Sequence, residues 1–219
     1  MKSIKQLSKN ILFIQKYKVF LKNLQMLLYL FFMNLLWLPY YKFMFLIFGI
    51  EYVCRLLLKI YSNKKAFFLL SKFGAKIDAN VQIYPPIIID NTWVTGDFSN
   101  LSIEKNVYIG RGVFFDLTDR IIIKENTAIS GKVAILTHED TGPNNLLSSY
   151  YPRKTERVEI GSNSWIGFGA TILSGVIVGD FVVAGAGAVI TKSIPKYSVA
   201  CGAPAKIVKK LENKERNRN

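Results

Sequence analysis

The second half of the chain carries an aliphatic residue at every sixth position. Ile160, Ile166, Ile172, Val178, Ala184 and Ile190 keep that spacing, and five of the six are β-branched. Gly161, Gly167, Gly179 and Gly185 follow four of them. Ser164, Ala170, Val176, Val182 and Ala188 hold the position four residues further on. A beat of six matches neither the about 3.6-residue period of a helix nor the alternation of an ordinary strand. It suits a coil of short flat sides, each sending one large aliphatic inward, with turns where glycine or another small residue fits. Three sides make 18 residues per coil, the separation of Ile160 and Val178. The pattern predicts a parallel β-solenoid with coils ~4.8 Å apart.

The beat starts earlier, at Ile77, Ile83 and Ile89, and resumes at Ile103, Ile109, Phe115 and Ile121. It then slips by two, to Ile123, Ile129 and Ile135, and vanishes until Ile160. The gap holds Thr137-His138-Glu139-Asp140, Gly142-Pro143-Asn144-Asn145 and Tyr150-Tyr151-Pro152-Arg153. A loop of this length in a compact solenoid is uncommon and often functional. The only histidine of the chain opens it.

Charge separates the chain into two parts. Residues 1–76 carry 13 Lys and Arg against the single acid Glu51, a net charge of +12, while residues 77–219 are nearly neutral at +2. The basic part is also the most apolar. Lys2, Lys5, Lys9, Lys16, Lys18 and Lys22 precede the 18-residue uncharged run Leu24–Tyr41, and a second apolar run covers Phe43–Ile50. That length lies at the short edge for a transmembrane helix, and Pro39 is expected to kink or stop it. Three arrangements stay open: a single span, interfacial helices with lysines on anionic headgroups, and helices packed on the solenoid or on a neighbouring subunit. The interfacial one is favoured, because a span with a cytosolic solenoid would leave six lysines outside, against the positive-inside tendency. A secretory leader is not expected, since the apolar region is too long and no small-residue cleavage site follows. Nucleic acid is not an expected partner, because the lysines alternate with long aliphatic runs and form no separate polar face. Cys54 and Cys201, far apart in sequence, make no disulfide framework and point to a reducing compartment. Both are expected to act as buried small apolar residues.

Three blocks then follow one another in a fixed order: Ile160-Gly-Ser-Asn-Ser-Trp-Ile-Gly-Phe-Gly-Ala-Thr-Ile-Leu-Ser-Gly-Val-Ile-Val-Gly-Asp180, Ala184-Gly-Ala-Gly-Ala-Val-Ile-Thr-Lys192 and Ala200-Cys-Gly-Ala-Pro-Ala-Lys-Ile-Val-Lys209. With Phe73-Gly-Ala-Lys-Ile77 they resemble the hexapeptide-repeat acyltransferases. The likeness is closest in type to galactoside and maltose O-acetyltransferases and to the O-acetyltransferases of surface-polysaccharide clusters. It covers roughly residues 73–211. It implies an all-β, left-handed parallel β-helix, a hand that periodicity does not give and that the usual crossover rule opposes. It also implies a homotrimer, with acetyl-CoA as acyl donor lying between adjacent solenoids. The expected organisation is a helical, apolar, basic, membrane-associated segment over 1–72, the β-helix over 73–211 and a charged flexible tail over 212–219.

Acetyl transfer from a thioester to an alcohol needs a base for the hydroxyl proton and donors for the oxyanion. His138 is the only imidazole and matches the catalytic histidine of the resembled family. Imidazole is the side chain whose unperturbed titration falls nearest neutral pH. Its second nitrogen needs a holder. Glu139 and Asp140 are adjacent in sequence, and Asp116, one coil earlier, is a candidate to orient either the histidine or the acceptor. By resemblance Trp165 walls the acetyl pocket, unless it is a packing aromatic on the outside of the prism. The resemblance also implies backbone N–H donors for the oxyanion near Gly167 and Phe168, and contact of the Ala186 backbone with the pantetheine amides. Thr191 and Lys192 match a Thr-Lys pair near the cofactor. Lys206 and Lys209 match basic positions that meet its phosphates, where lysine acts as a point charge without the fork of arginine. Tyr150, Tyr151 and Arg153 are candidate acceptor contacts, or residues that pack their own loop down. No metal is expected, because one histidine cannot supply a three-histidine zinc site.

These readings combine into an acetyl-CoA-dependent O-acetyltransferase acting on a saccharide hydroxyl of a surface polysaccharide or lipid-linked glycan. Its expected place is the cytoplasm, peripheral on the cytosolic face of the inner membrane. One alternative is an N-acyltransferase of an amino-sugar nucleotide, although the glycine fingerprint of a nucleotide-binding domain is not visible. Another is a non-catalytic trimeric hexapeptide scaffold.

Overall fold

The computed structural model describes residues 17–18, 20–21, 24–25, 27–29, 31–142 and 146–212. Lys2, Lys5, Lys9, Lys16 and Lys22 of the basic run lie outside the described residues, as does the expected tail beyond Glu212. The chain divides into two compact units, Met1–Gly49 and Ile50–Asn219.

In the first unit, Leu27–Phe48 forms one helix of 22 residues, long and apolar enough to cross a membrane. Pro39 neither stops nor breaks it. Met33–Trp37, just before, is a π-turn, and Pro39 falls at the start of the α-helical stretch Leu38–Phe48. The wider turn makes room for a ring that would otherwise meet the carbonyl four residues back. The helix ends at Gly49, whose φ of 67° is left-handed and suits glycine. Phe31, Phe32, Leu35, Leu36, Phe43, Leu46 and Phe48 are each more than half exposed.

The second unit is a parallel solenoid with three faces. The first face stacks Lys76–Ile77, Leu101–Ile103, Ile121–Ile123, Val158–Ile160 and Ile177–Val178. The second stacks Gln82–Ile83, Tyr108–Ile109, Ala128–Ile129, Trp165–Ile166, Val182–Ala184 and Ser198–Cys201. The third stacks Ile88–Asp90, Phe114–Asp116, Ala134–Ile135, Thr171–Ile172 and Val189–Ile190. The beat residues lie in register: Ile103, Ile123, Ile160 and Val178 on the first face, Ile109, Ile129, Ile166 and Ala184 on the second, Phe115, Ile135, Ile172 and Ile190 on the third. All are buried, at about 1.5–3 kcal/mol of transfer free energy for each large side chain.

The glycines after the inward aliphatics are not the turn residues. Gly161, Gly167, Gly179 and Gly185 do not have positive φ; the left-handed positions fall two residues later, at Asn163, Gly169, Phe181 and Gly187. What these glycines provide is approach. A Cβ on Gly161 would come 2.5 Å from the carbonyl carbon of Gly179, and one on Gly167 would come 2.6 Å from the nitrogen of Ala186. Successive coils therefore touch backbone to backbone.

Helices Ile50–Lys59 and Asn63–Lys72 lie over the first coil and bury Val53, Leu57, Ala66, Leu69 and Leu70. Ser62 caps the second helix, its hydroxyl accepting from the Lys65 amide at 3.3 Å. At the far end, Lys206–Lys210 turns back antiparallel on Ser198–Cys201 and closes the ladder. Cys54 and Cys201 are free and only partly buried.

Every departure from the six-residue beat occurs at one corner. From the inward residue of the third face to that of the next first face, the separations are 14 (Ile89 to Ile103), 8 (Phe115 to Ile123), 25 (Ile135 to Ile160) and 6 (Ile172 to Val178). The slip of two is the turn after Asp116, and the gap in the beat is the loop that His138 opens.

Gly161→Ala is expected to cost about 1–3 kcal/mol by overpacking, read as a lower urea midpoint at an unchanged m-value. Gly169→Ala, whose Cβ meets nothing within 4 Å, should lose less, because only its left-handed φ opposes the side chain.

Candidate active site

Asp116 ends the third-face strand Phe114–Asp116 at the enlarged corner, and its side chain is buried. Six donors converge on it. Oδ1 accepts from the Thr118 amide at 3.1 Å, the Thr118 hydroxyl at 2.7 Å and Nδ2 of Asn91 at 2.9 Å. Oδ2 accepts from the Thr137 amide at 2.8 Å, the His138 amide at 3.0 Å and Nδ1 of His138 at 2.6 Å. The two extra residues of this corner let Thr118 fold back over the carboxylate. Asn91 comes from the corner one coil below, and Thr137 and His138 from one coil above. The Thr137 hydroxyl donates to the Asp116 carbonyl at 2.8 Å and accepts from the Asp119 amide at 2.9 Å.

A carboxylate only accepts hydrogen bonds. The proton on the Asp116 side of the imidazole is therefore on Nδ1, and in the neutral ring Nε2 is the nitrogen that keeps a lone pair. The Thr118 hydroxyl, 3.3 Å from Nδ1, gives its own proton to Asp116. Burial alone would raise the Asp116 pKa. The hydrogen bonds from His138, Thr118, Asn91 and the Thr137 backbone outweigh it and hold the group at about 2, below its ordinary 3.8. The corner thus fixes a buried anion whose main partner is the ring of a partly exposed histidine.

Asp140 is engaged elsewhere. Its Oδ1 accepts from the Gly142 amide at 2.7 Å, and its Oδ2 lies 3.9 Å from Nε of Arg153. Of the candidate carboxylates it is Asp116, and neither Glu139 nor Asp140, that holds the ring. His138–Glu139 pairs antiparallel with Lys154–Thr155, so the loop leaves the corner as a β-ribbon. Tyr150 and Tyr151 follow the turn Leu146–Ser149 and are well exposed, not packed down on the loop. Arg153 stacks its guanidinium 5.4 Å from the centre of the Trp93 ring.

The residues expected on the cofactor side fall on two corners. Trp165 is half exposed on the second face, and its indole N–H donates to the Ser130 hydroxyl at 2.9 Å. Phe168 is exposed at the corner between the second and third faces, under the Lys132 ammonium at 5.6 Å. Ala186 follows it one coil on at the same corner. Gly167 is buried, and its N–H donates to the Ala184 carbonyl at 2.8 Å, so the coil ladder takes the proton expected for the oxyanion. Thr191 and Lys192 are exposed after the third-face strand Val189–Ile190, at the corner that carries His138 but two coils further along. Lys206 and Lys209 are exposed on the closing strand Lys206–Lys210.

Residues 157–192 match the family described as bacterial transferase hexapeptide (six repeats). A protein of Staphylococcus aureus (strain Mu50) bearing the name of an acetyltransferase is 34% identical over 157 residues, 69% of this chain and 72% of its own length. The chain belongs to the hexapeptide-repeat acetyltransferase family. As a member of that family it is an acyltransferase. The galactoside O-acetyltransferase of Escherichia coli (strain K12) is 27% identical over 161 residues, 68% of this chain and 70% of that protein. Among solved structures, a galactoside acetyltransferase in complex with coenzyme A has a TM-score of 0.64 at 22% identity, covering 76% of this chain and 80% of that one. A maltose O-acetyltransferase from Clostridium difficile 630 has a TM-score of 0.53 at 25% identity, covering 74% and 84%. Hexapeptide-repeat neighbours carry the left-handed sense of coil with them.

Three residues that hold the Asp116–His138 pair of this hexapeptide acetyltransferase escaped sequence reading: Asn91, Thr118 and Thr137. Their shared signal is the enlarged corner, visible as the slip and the gaps in the beat.

The depressed pKa of Asp116 has a consequence in acid. The contribution is complete above the unfolded-state value and is lost as pH falls through the folded one, about 2. Its size is of the order of 2 kcal/mol. Urea midpoints taken between pH ~4 and ~2.5 should fall for the native chain and fall less for Asp116→Asn.

Proposed function

We propose that the chain moves the acetyl group of acetyl-CoA onto a saccharide hydroxyl, with His138 as general base. The observation that carries this is the 2.6 Å contact of His138 Nδ1 with Asp116 Oδ2, which leaves Nε2 as the accepting nitrogen. Nε2 takes the hydroxyl proton as the oxygen attacks the thioester carbonyl carbon. A C–O bond forms, the carbonyl electrons move to the oxyanion, and they return as the C–S bond breaks. The thiolate leaves with the proton from the imidazolium. Asp116 stays ionised and steadies the imidazolium while it exists. The N–H of Phe168 takes the oxyanion role that Gly167 does not fill.

Acetyl-CoA is the acyl donor, and the galactoside acetyltransferase solved with coenzyme A supports it. Trp165 walls the acetyl end, and the bare backbone at Ala186 admits the pantetheine amides. Thr191 and Lys192 lie near the cofactor, and Lys206 and Lys209 face its phosphates as point charges. One chain carries its base at one corner and Trp165, Phe168 and Ala186 near another. A homotrimer joins the two, the base corner of each chain facing the cofactor corner of its neighbour. Relatives named for galactoside and maltose support a saccharide acceptor. Tyr150, Tyr151 and Arg153, at the end of the loop that His138 opens, are where it is recognised.

The 22-residue apolar helix Leu27–Phe48 and the +12 charge of residues 1–76 together favour an anionic membrane surface as a partner. Lysines meet headgroups while Phe, Leu and Trp37 enter the acyl region. On this reading the enzyme works at the cytosolic face of the inner membrane, beside a lipid-linked glycan or a polysaccharide under construction.

His138→Ala should lower kcat by about 10²–10⁴-fold, while calorimetry still shows saturable acetyl-CoA binding. Turnover retained by the variant would overturn the mechanism. Full-length protein should pellet with vesicles of anionic lipid at moderate salt; protein left in the supernatant would remove the membrane from the proposal.

A further inference from the structure

Trp93 sits on the first enlarged corner, in the 3-10 turn Thr92–Val94, and is 66% exposed. It is nevertheless held from two sides. Its indole N–H donates to Asn91 Oδ1 at 3.3 Å, and the Arg153 guanidinium lies 5.4 Å from the centre of its ring. An indole fixed in this way presents a rigid, apolar face to solvent at little further cost in conformational freedom. Asn91 uses both ends of its amide, because its Nδ2 donates to Asp116 Oδ1 at 2.9 Å. Its left-handed backbone, φ 57°, aims the side chain between the two. Trp93, Asn91, Asp116 and His138 thus form one line of hydrogen bonds from an exposed ring to the base.

Arg153 is shared with Asp140, 3.9 Å from Nε to Oδ2. The two offer N–H donors and a carboxylate acceptor beside the aromatic face, with their charges opposed. That combination suits a ligand with one apolar face and a hydroxylated edge and no net charge. A carboxylated or phosphorylated sugar would bring its anion against Asp140.

We infer that Trp93, Arg153 and Asp140 form an acceptor subsite for a neutral hexopyranose, the C–H face of the sugar on the indole face that Arg153 leaves open and its edge hydroxyls on the Arg153–Asp140 pair. Asn91 is the positioning residue that keeps this subsite in register with Asp116 and His138. The inference rests on the saccharide reading above and adds to it the residues and the charge class of the sugar.

The test uses the full-length protein and methyl hexopyranosides. Intrinsic fluorescence should be quenched saturably in the native chain, and the response should be lost in Trp93→Phe, an exposed position where the fold is not at stake. Trp93→Ala should raise the acceptor KM about ten-fold or more and leave the acetyl-CoA KM unchanged. Asn91→Ala should lower kcat with little change in acceptor KM. It should also move the acid fall of the urea midpoint to higher pH, because Asp116 loses a donor to its ionised form. A purely structural asparagine would lower the midpoint without moving its pH dependence. Absence of quenching, or equal quenching in Trp93→Phe, overturns the subsite. Saccharide acetylation with an unchanged KM in Trp93→Ala overturns the subsite and leaves the transferase reading standing. Quenching that depends on Trp93, with no saccharide acetylated, supports the sugar-binding subsite and overturns the saccharide as the acetyl acceptor.

Discussion

Backbone-to-backbone stacking of successive coils is the constraint on which the rest depends. Neighbouring coils approach so closely that a single Cβ at Gly161 or Gly167 would fall about 2.5 Å from the next turn of chain. That contact holds only while every coil keeps the same outline. Each face therefore repeats six residues, with Ile, Val, Phe or Ala inward and a small or left-handed residue where the chain bends. The interior has no room for an extra residue on a face, since one more would turn the next aliphatic outward and part the ladder. Extra residues are tolerated only where they leave the prism, and in this chain they leave at one corner.

That corner is consequently the chemical part of the molecule. Three insertions stacked on one another give the chain what a regular solenoid lacks, namely side chains and amides that converge instead of alternating in and out. The Asp116 carboxylate sits where they meet. Its burial is unfavourable, and six hydrogen bonds make it stable. The same hydrogen bonds fix the ring of His138 in one tautomer. The site is rigid because donors from three successive coils share one anion, so none of the three corners can shift without leaving a buried charge short of partners. At the other end of the chain's chemistry, the cofactor-side residues need no such convergence. Phe168 and Ala186 stand one above the other at a regular corner.

Much of this is legible in the residues. The beat of six names the inward side of every strand from Ile103 to Ile190, because a column of aliphatics must repeat with the coil that carries it. The slip after Phe115 and the gap after Ile135 mark the functional corner, because a solenoid cannot absorb extra residues elsewhere. His138 stands out as the only imidazole. Other features do not project onto the sequence. Pro39 reads as a helix breaker, yet a π-turn at Met33–Trp37 admits its ring and the helix continues. Gly167 reads as an oxyanion donor, yet its N–H belongs to the coil ladder. Glu139 stands next to His138 along the chain, yet in a β-ribbon adjacent side chains point to opposite faces, and Asp140, just past the strand, serves its own turn.

The sequence by itself determined the solenoid, its three faces, its register and the corner where chemistry is concentrated, because all four follow from periodicity and from where periodicity fails. Only the tertiary structure decided that Asp116 holds His138, that Asn91 and Thr118 hold Asp116, and that Trp93 and Arg153 share a stack across the loop. Apart from the local Thr118–Asp116 pair, these contacts join residues 22 to 60 positions apart. Whether such residues meet depends on how three turns of unequal length fold over one another, and no local preference encodes that.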